Sequence, residues 1–239
     1  MKLFRTITIA SVLMLLAFSS GYALETETHE LINEVIANTT ITGFSLDSYL
    51  KNQLGFVNGK DEKFNNEKVW QWIKKGGIYE DKPPLTSLTV PYVRSLNHFH
   101  DPITEQGFKG WISSIIWSQF PKGSQYLGGN YSWHDARDYF YKALTSTGKA
   151  TRESNFAETF RGLGQVMHLI EDASVPSHVR NDSHIYGFHY ESWVKNNYKT
   201  YEQISRLTPI TFNKSILNFY TNLSAPVPIS NIIDTNQYD

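Results

Sequence analysis

The chain has 239 residues, 22 Lys and Arg against 23 Asp and Glu, 40% hydrophobic content and no cysteine. That length supports one sizeable core, and the near-neutral balance gives no electrostatic reason to expect a stable nucleic-acid complex. Without Cys there are no disulfides, thiolate nucleophiles or iron–sulfur clusters, so any metal must be held by the eight His, by carboxylates or by backbone.

Lys2 and Arg5 form a short positive head, Ile7 to Phe18 an apolar run, and Gly21-Tyr22-Ala23 a small-x-small ending. This pattern predicts a secretory signal peptide over residues 1–23 with cleavage before Leu24. The alternative, a membrane anchor, needs a longer apolar run than this one. A secreted or periplasmic mature protein is therefore expected. Losing Lys2 and Arg5 takes two charges from the 22 basic residues against 23 acidic ones, a net of −3.

Apolar residues then recur at helical spacing over most of residues 24–224, which predicts an all-α, single-domain helical bundle. Leu31, Ile32, Val35 and Ile36 mark a first helix after Thr28. Ser45 caps a second that Gly55 closes. Asn66 is placed to cap a third through Val69, Trp70 and Ile73, closed by Gly76 and Gly77. Trp70, Trp72 and Ile73 read as core. Residues 77–104, with four prolines, read as a long loop of the kind that more often carries function than not. Trp111, Ile115 and Ile116 suggest a further helix, and Ser132 with Asp135 a capping box. The longest candidate runs from Thr151 to about Ser174, stopped by Pro176. Shorter helices are expected over 189–206 and 211–222, and residues 225–239 read as a tail or linker.

Within the longest helix His168 and Asp172 stand four residues apart, on one face and about 6 Å apart along the axis, close enough to share a metal. Such a pair is often only a surface ion pair. Here His178 follows past Pro176, and His189 and Glu191 lie close behind, a density unusual for core histidines. Upstream, Asp81, the segment Asn97-His98-Phe99-His100-Asp101-Pro102 and His29 offer further ligands. His100 and His134 read as ordinary surface or hydrogen-bonded histidines. Gly162 and Gly164, ahead of His168, suggest close helix packing, and Glu171 either faces solvent or supports a ligand histidine from outside.

These residues resemble the zinc-dependent phospholipases C and the related single-strand nucleases of the P1/S1 type. The segments that carry the resemblance are Leu24 with His29, Gly77-Ile78-Tyr79-Glu80-Asp81-Lys82-Pro83, Asn97-His98-Phe99-His100-Asp101-Pro102, His168 to Asp172 with His178, and Gly187-Phe188-His189-Tyr190-Glu191. The resemblance implies three Zn²⁺ ions. Asp81, His98 and His168 would hold one, His178, His189 and Glu191 a second, and the Leu24 backbone with His29 a third, with Asp172 bridging the first and third. Asp81 would also orient or deprotonate the attacking water, a hydroxide shared between metals attacking phosphorus in line. Two departures stand out. Leu24 occupies the place of a usual Trp, although the ligating atoms there are backbone. His189 and Glu191 are two residues apart where the family has four, so His189 must precede its helix, and His184 is the reserve ligand.

The loop pieces favour the phospholipase branch, which implies a phospholipid or other phosphodiester substrate and transient contact with a membrane surface. Lys82 and Ser95 stand where the phospholipases frame choline, and neither is aromatic, so a cation–π cage is not evident. The alternatives are a single-strand nuclease, with aromatic side chains stacking bases, or a catalytically silent zinc-binding homologue.

Overall fold

The computed structural model describes residues 24–40, 43–83, 94–125, 128–182 and 190–197. The expected signal peptide, the tail, His184, His189 and the helix over 211–222 lie outside these residues. Among the described residues the protein is mostly helical, as the periodicity predicts, with one minimal hairpin as its only ladder.

Helix α1 spans Thr26–Asn38 and begins ahead of Thr28. Its most buried face is not the apolar stripe. His29, Asn33 and Ala37 point inward at four-residue spacing, while Ile36 is exposed. Helix α2, Leu46–Leu54, has the expected ends: the Ser45 hydroxyl accepts from the Ser48 N–H at 3.3 Å, and Gly55 takes a left-handed φ of 70°.

Asn66 does not cap the third helix. Lys63–Phe64 and Glu67–Lys68 pair antiparallel around Asn65 and Asn66, whose φ values of 48° and 67° make the tight turn, a conformation Asn tolerates. Helix α3, Val69–Tyr79, then starts from Lys68, whose N–H the Gln71 side chain satisfies at 2.9 Å. Nor do Gly76 and Gly77 close it. The helix runs through both, because they let it press against its neighbours: a Cβ on Gly76 would sit 2.6 Å from the Gly164 Cα, and one on Gly77 would sit 2.6 Å from Asn33 Nδ2.

Ser113 caps the short α4, Ser114–Ser118, which buries Trp117 completely. The Ser132/Asp135 capping box opens α5, Trp133–Thr145, as expected. Helix α6 spans Lys149–Asp172 and is the axis of the fold. It stops short of Pro176, which instead occupies the first turn of α7, Pro176–Val179, where its missing N–H costs nothing. Residues 190–197 are also helical.

The core joins α1, α2, α3 and α6 through Ala37, Leu50, Val69, Ile73, Ala157 and Phe160. Phe64 of the hairpin stacks on Phe156, with ring centroids 4.7 Å apart. Trp70 and Trp72 pack against this core while their indole N–H groups donate to Asp61 and to the Phe64 carbonyl. At the glycine crossing Asn33 donates to the Ile73 and Gly164 carbonyls at 3.0 and 3.1 Å, which locks α1, α3 and α6 together just below the predicted ligands.

Candidate metal centre

The predicted ligands converge where α6 ends. His168 and Asp172 come from its last turns, His29 from α1, Asp81 from just beyond α3, and His98 from the end of the 3-10 turn Ser95–Asn97. All five are at most 1% exposed. Asp172 lies between them. Its Oδ1 is 3.2 Å from His29 Nε2, and its Oδ2 is 2.9 Å from His98 Nδ1 and 3.3 Å from His168 Nε2. Asp81 Oδ1 completes the group, 3.7 Å from His98 Nδ1 and 3.8 Å from His168 Nε2.

These contacts are not hydrogen bonds. His29 Nε2, His98 Nδ1, His168 Nε2 and both oxygens of Asp81 and of Asp172 are buried without a hydrogen-bond partner of acceptable geometry. A single such atom costs about 1–3 kcal/mol, and native proteins hold few of them. The separations fit a different interaction. Ligand atoms around a tetrahedral zinc with bonds of 2.0–2.1 Å stand about 3.3 Å apart, and the distances here scatter around that value. Two ligand trios arise, His29–Asp81–His168 and His98–His168–Asp172. The structure therefore places Asp81 beside His29 as well as beside His98 and His168, while Asp172 spans both trios.

The outer ring nitrogens are fixed as metal-binding imidazoles require. His168 Nδ1 is 2.7 Å from the Gly77 carbonyl and His178 Nδ1 is 3.0 Å from the His98 carbonyl. A carbonyl only accepts, so both rings donate from Nδ1, which leaves Nε2 as the nitrogen available to a metal once it is deprotonated. His29 Nδ1 meets the Glu171 carboxylate at 2.6 Å, which settles Glu171 as the outer support of a candidate ligand. His29 also stacks on His168 at 3.6 Å.

Electrostatics follow from this crowding. Burial pushes the His98 and His168 pKa values down, but the Asp172 carboxylate outweighs it and raises them to about 9 and about 10. Burial pushes Asp81 above the usual carboxylate range. Asp172, although buried, is held well below that range by His168, His29 and His98. Glu191 is pushed up to about 9 by burial and by the carboxylates of Asp172, Glu25 and Asp81, within whose electrostatic reach it lies.

His178 is fully buried beside this group, stacked on Phe99 at 4.0 Å. The Leu24 side chain packs against Val175, with Ile32 and Val194 around it, which brings residue 24 to the α6–α7 corner. His100 lies 3.8 Å from Glu105 and His134 is exposed, so neither joins the cluster. Lys82 is exposed and Ser95 buried. Sequence reasoning passed over Glu80, Arg94 and Gln165, which form a buried polar layer beneath the ligands. Their only signal was the adjacency of Glu80 to Asp81. Set against family models, curated proteins and solved structures, the chain gives no match.

Proposed function

We propose that this protein is a zinc-dependent phosphodiester hydrolase of the phospholipase C type, exported and cleaved before Leu24. The observation that carries the reading is the convergence of buried, hydrogen-bond-deficient His and carboxylate atoms at zinc-like separations. Asp81, His98 and His168 would hold one ion and the Leu24 backbone with His29 another, with Asp172 reaching both. His178, Glu191 and His189, the last outside the described residues, would hold a third. Divalent cations bound there supply Lewis acidity toward phosphoryl oxygens and lower the pKa of water toward neutrality.

The chain's own residues set the rest. The Gly77 carbonyl and Glu171 hold the His168 and His29 rings in the orientation that presents Nε2 to the cluster, and the His98 carbonyl fixes the His178 ring through its Nδ1. Asp81, with its pKa raised by burial, is a carboxylate suited to orient an attacking water and accept its proton. Burial of the His29, Asp81, His98, His168, Asp172 and His178 side chains limits competing water around them.

The test is metal analysis of the mature protein, followed by assay against a phosphatidylcholine analogue and against single-stranded DNA. Three equivalents of zinc with turnover of the lipid analogue is the expected result. Turnover of DNA alone replaces the substrate assignment, and zinc uptake with no turnover of either leaves only a zinc-binding protein.

A further inference from the structure

Asp81 and His98 are brought together from opposite ends of the chain segment 82–97, and the residues beneath them show how. Glu80, beside Asp81, is fully buried at the end of α3. Its Oε2 accepts from Arg94 Nη2 at 2.6 Å and from Gln165 Nε2 of α6 at 2.9 Å, and its Oε1 accepts from Trp117 Nε1 of α4 at 2.9 Å. The same Oε1 stands 3.7 Å from His98 Nε2, on the side of the ring away from the cluster.

Arg94 in turn donates to the Gly129 carbonyl at 3.0 Å and to Gln125 Oε1 at 3.3 Å, with its guanidinium 4.9 Å from the Trp117 ring centroid. Gln125 donates to the Trp117 carbonyl and accepts from the Tyr131 N–H. One carboxylate thus ties α3, α4 and α6 to the backbone four residues before His98. Arg94 neutralises it and leaves its lone pairs committed to donors.

We infer that Glu80 and Arg94 are positioning residues for the metal centre: their buried ion pair clamps both ends of segment 82–97 so that Asp81 and His98 meet one cation. This rests on the metal reading above. Buried ion pairs often contribute little net stability compared with well-packed apolar replacements, and in some proteins they specify one arrangement of the groups they join, the role inferred for this pair. Outer-shell partners of metal ligands commonly set affinity by 10–100-fold, and this pair joins the residue next to Asp81 to the backbone four residues before His98, with Glu80 Oε1 3.7 Å from the His98 ring.

The double variant Glu80→Gln/Arg94→Met removes both charges at similar volume, so no lone charge is left buried. Zinc affinity would be read by competition with a chromophoric chelator, and ligand geometry by the visible spectrum of the cobalt(II)-loaded protein. The expected result is a folded protein whose affinity for the Asp81–His98 ion falls about 10-fold or more, with altered cobalt bands. Leu50→Ala, a core truncation in α2, serves as the control and should lower the unfolding midpoint while leaving both readouts unchanged. A folded double variant with wild-type affinity and spectrum overturns the assignment.

If the double variant does not fold, Trp117→Phe withdraws one donor from Glu80 and keeps a smaller aromatic ring in its place. A several-fold loss of affinity supports the clamp, and wild-type affinity overturns it. Wild-type protein that takes up no zinc or cobalt instead overturns the metal reading, and the clamp with it.

Discussion

At the scale of single residues, Asp172 is where the site's contradictions meet. It is fully buried, yet three imidazoles hold its carboxyl in the ionised form, and its two oxygens face different partners, His29 on one side and His98 with His168 on the other. Asp172→Asn keeps the shape and removes the charge, so it should release two zinc equivalents where His168→Ala releases one. Elemental analysis of the purified variants checks this, and loss of one ion in both cases would remove the bridging role. The histidines predict a pH dependence. His98 and His168 titrate at about 9 and about 10 in the folded metal-free protein, against about 6.5 in an unfolded chain. Folding therefore favours their protons: the stabilisation is complete below pH 6.5 and is lost as the pH rises through 9 and 10. Glu191, raised to about 9, acts in the same direction, and Asp172 contributes a constant amount across this window. Zinc needs the same imidazoles deprotonated. Unfolding midpoints should thus fall between pH 6.5 and 9 in chelator and rise over that range in zinc. Parallel curves under the two conditions would contradict competition between proton and metal.

At the scale of elements, the site depends on how closely α3 approaches α6. A methyl on Gly164 would meet the Ile73 carbonyl and stand 2.9 Å from the Gly76 Cα, and a backbone cannot swing aside as a side chain can. Gly164→Ala should therefore cost about 1–3 kcal/mol of stability. It should also weaken zinc binding, because Asp81 follows α3 directly. A methyl on Gly162 is crowded only by the Ala136 Cβ, at 3.2 Å, with the Ala136 Cα and a Tyr131 ring carbon at ordinary contact distance. The better helix propensity of Ala, about 1 kcal/mol over Gly, offsets that contact, so Gly162→Ala should stay within about 1 kcal/mol of wild type in urea titrations. Equal effects at the two glycines would mean that the crossing does not carry the site. This crossing also marks how much the sequence could show. The capping signals at Ser45, Gly55 and Ser132 are local, a hydroxyl or a missing Cβ acting within one turn, and they gave the correct ends. Gly76 and Gly77 have the composition of a helix stop and the function of a contact, and only a neighbouring helix distinguishes the two. In α1 the apolar residues mark the helix but not its most buried face, where the chain places His29 and Asn33. The reason is non-local: Asn33 finds the Ile73 and Gly164 carbonyls, and His29 finds Glu171 and Asp172. Ligand spacing was legible because His168 and Asp172 share one helix face. The Glu80–Arg94 layer was not, since its partners lie far apart in sequence and meet only through the fold.

At the scale of the whole molecule, the ends of the proposed ligand set are supplied by distant parts of the chain that the fold draws to one corner. Leu24 buries its side chain against Val175, directly before α7 and His178, and against Val194 of the helical residues that include Glu191. Residue 24 is therefore anchored by packing independently of any metal, and His29 stands on the first turns of the helix that follows it. If export exposes the α-amino group of Leu24 as a ligand, the two functions of this residue separate cleanly: the side chain holds the corner and the backbone holds the ion. A form beginning with one extra glycine before Leu24 keeps the side chain and the fold but replaces the amine with a peptide nitrogen, which has no lone pair to give. It should unfold within about 0.5 kcal/mol of the mature protein in chelator, as surface changes do. It should also bind one zinc equivalent fewer and lose most phosphodiesterase turnover. Leu24→Ala in the mature form should do the reverse, costing about 2–5 kcal/mol through the emptied contact with Val175 while retaining the full metal count in whatever fraction stays folded. Mass spectrometry of the intact N-terminus together with zinc stoichiometry separates these outcomes. Full zinc loading and full turnover in the glycine-extended form would remove Leu24 from the ligand set and leave His29 and Asp172 to hold that ion without it.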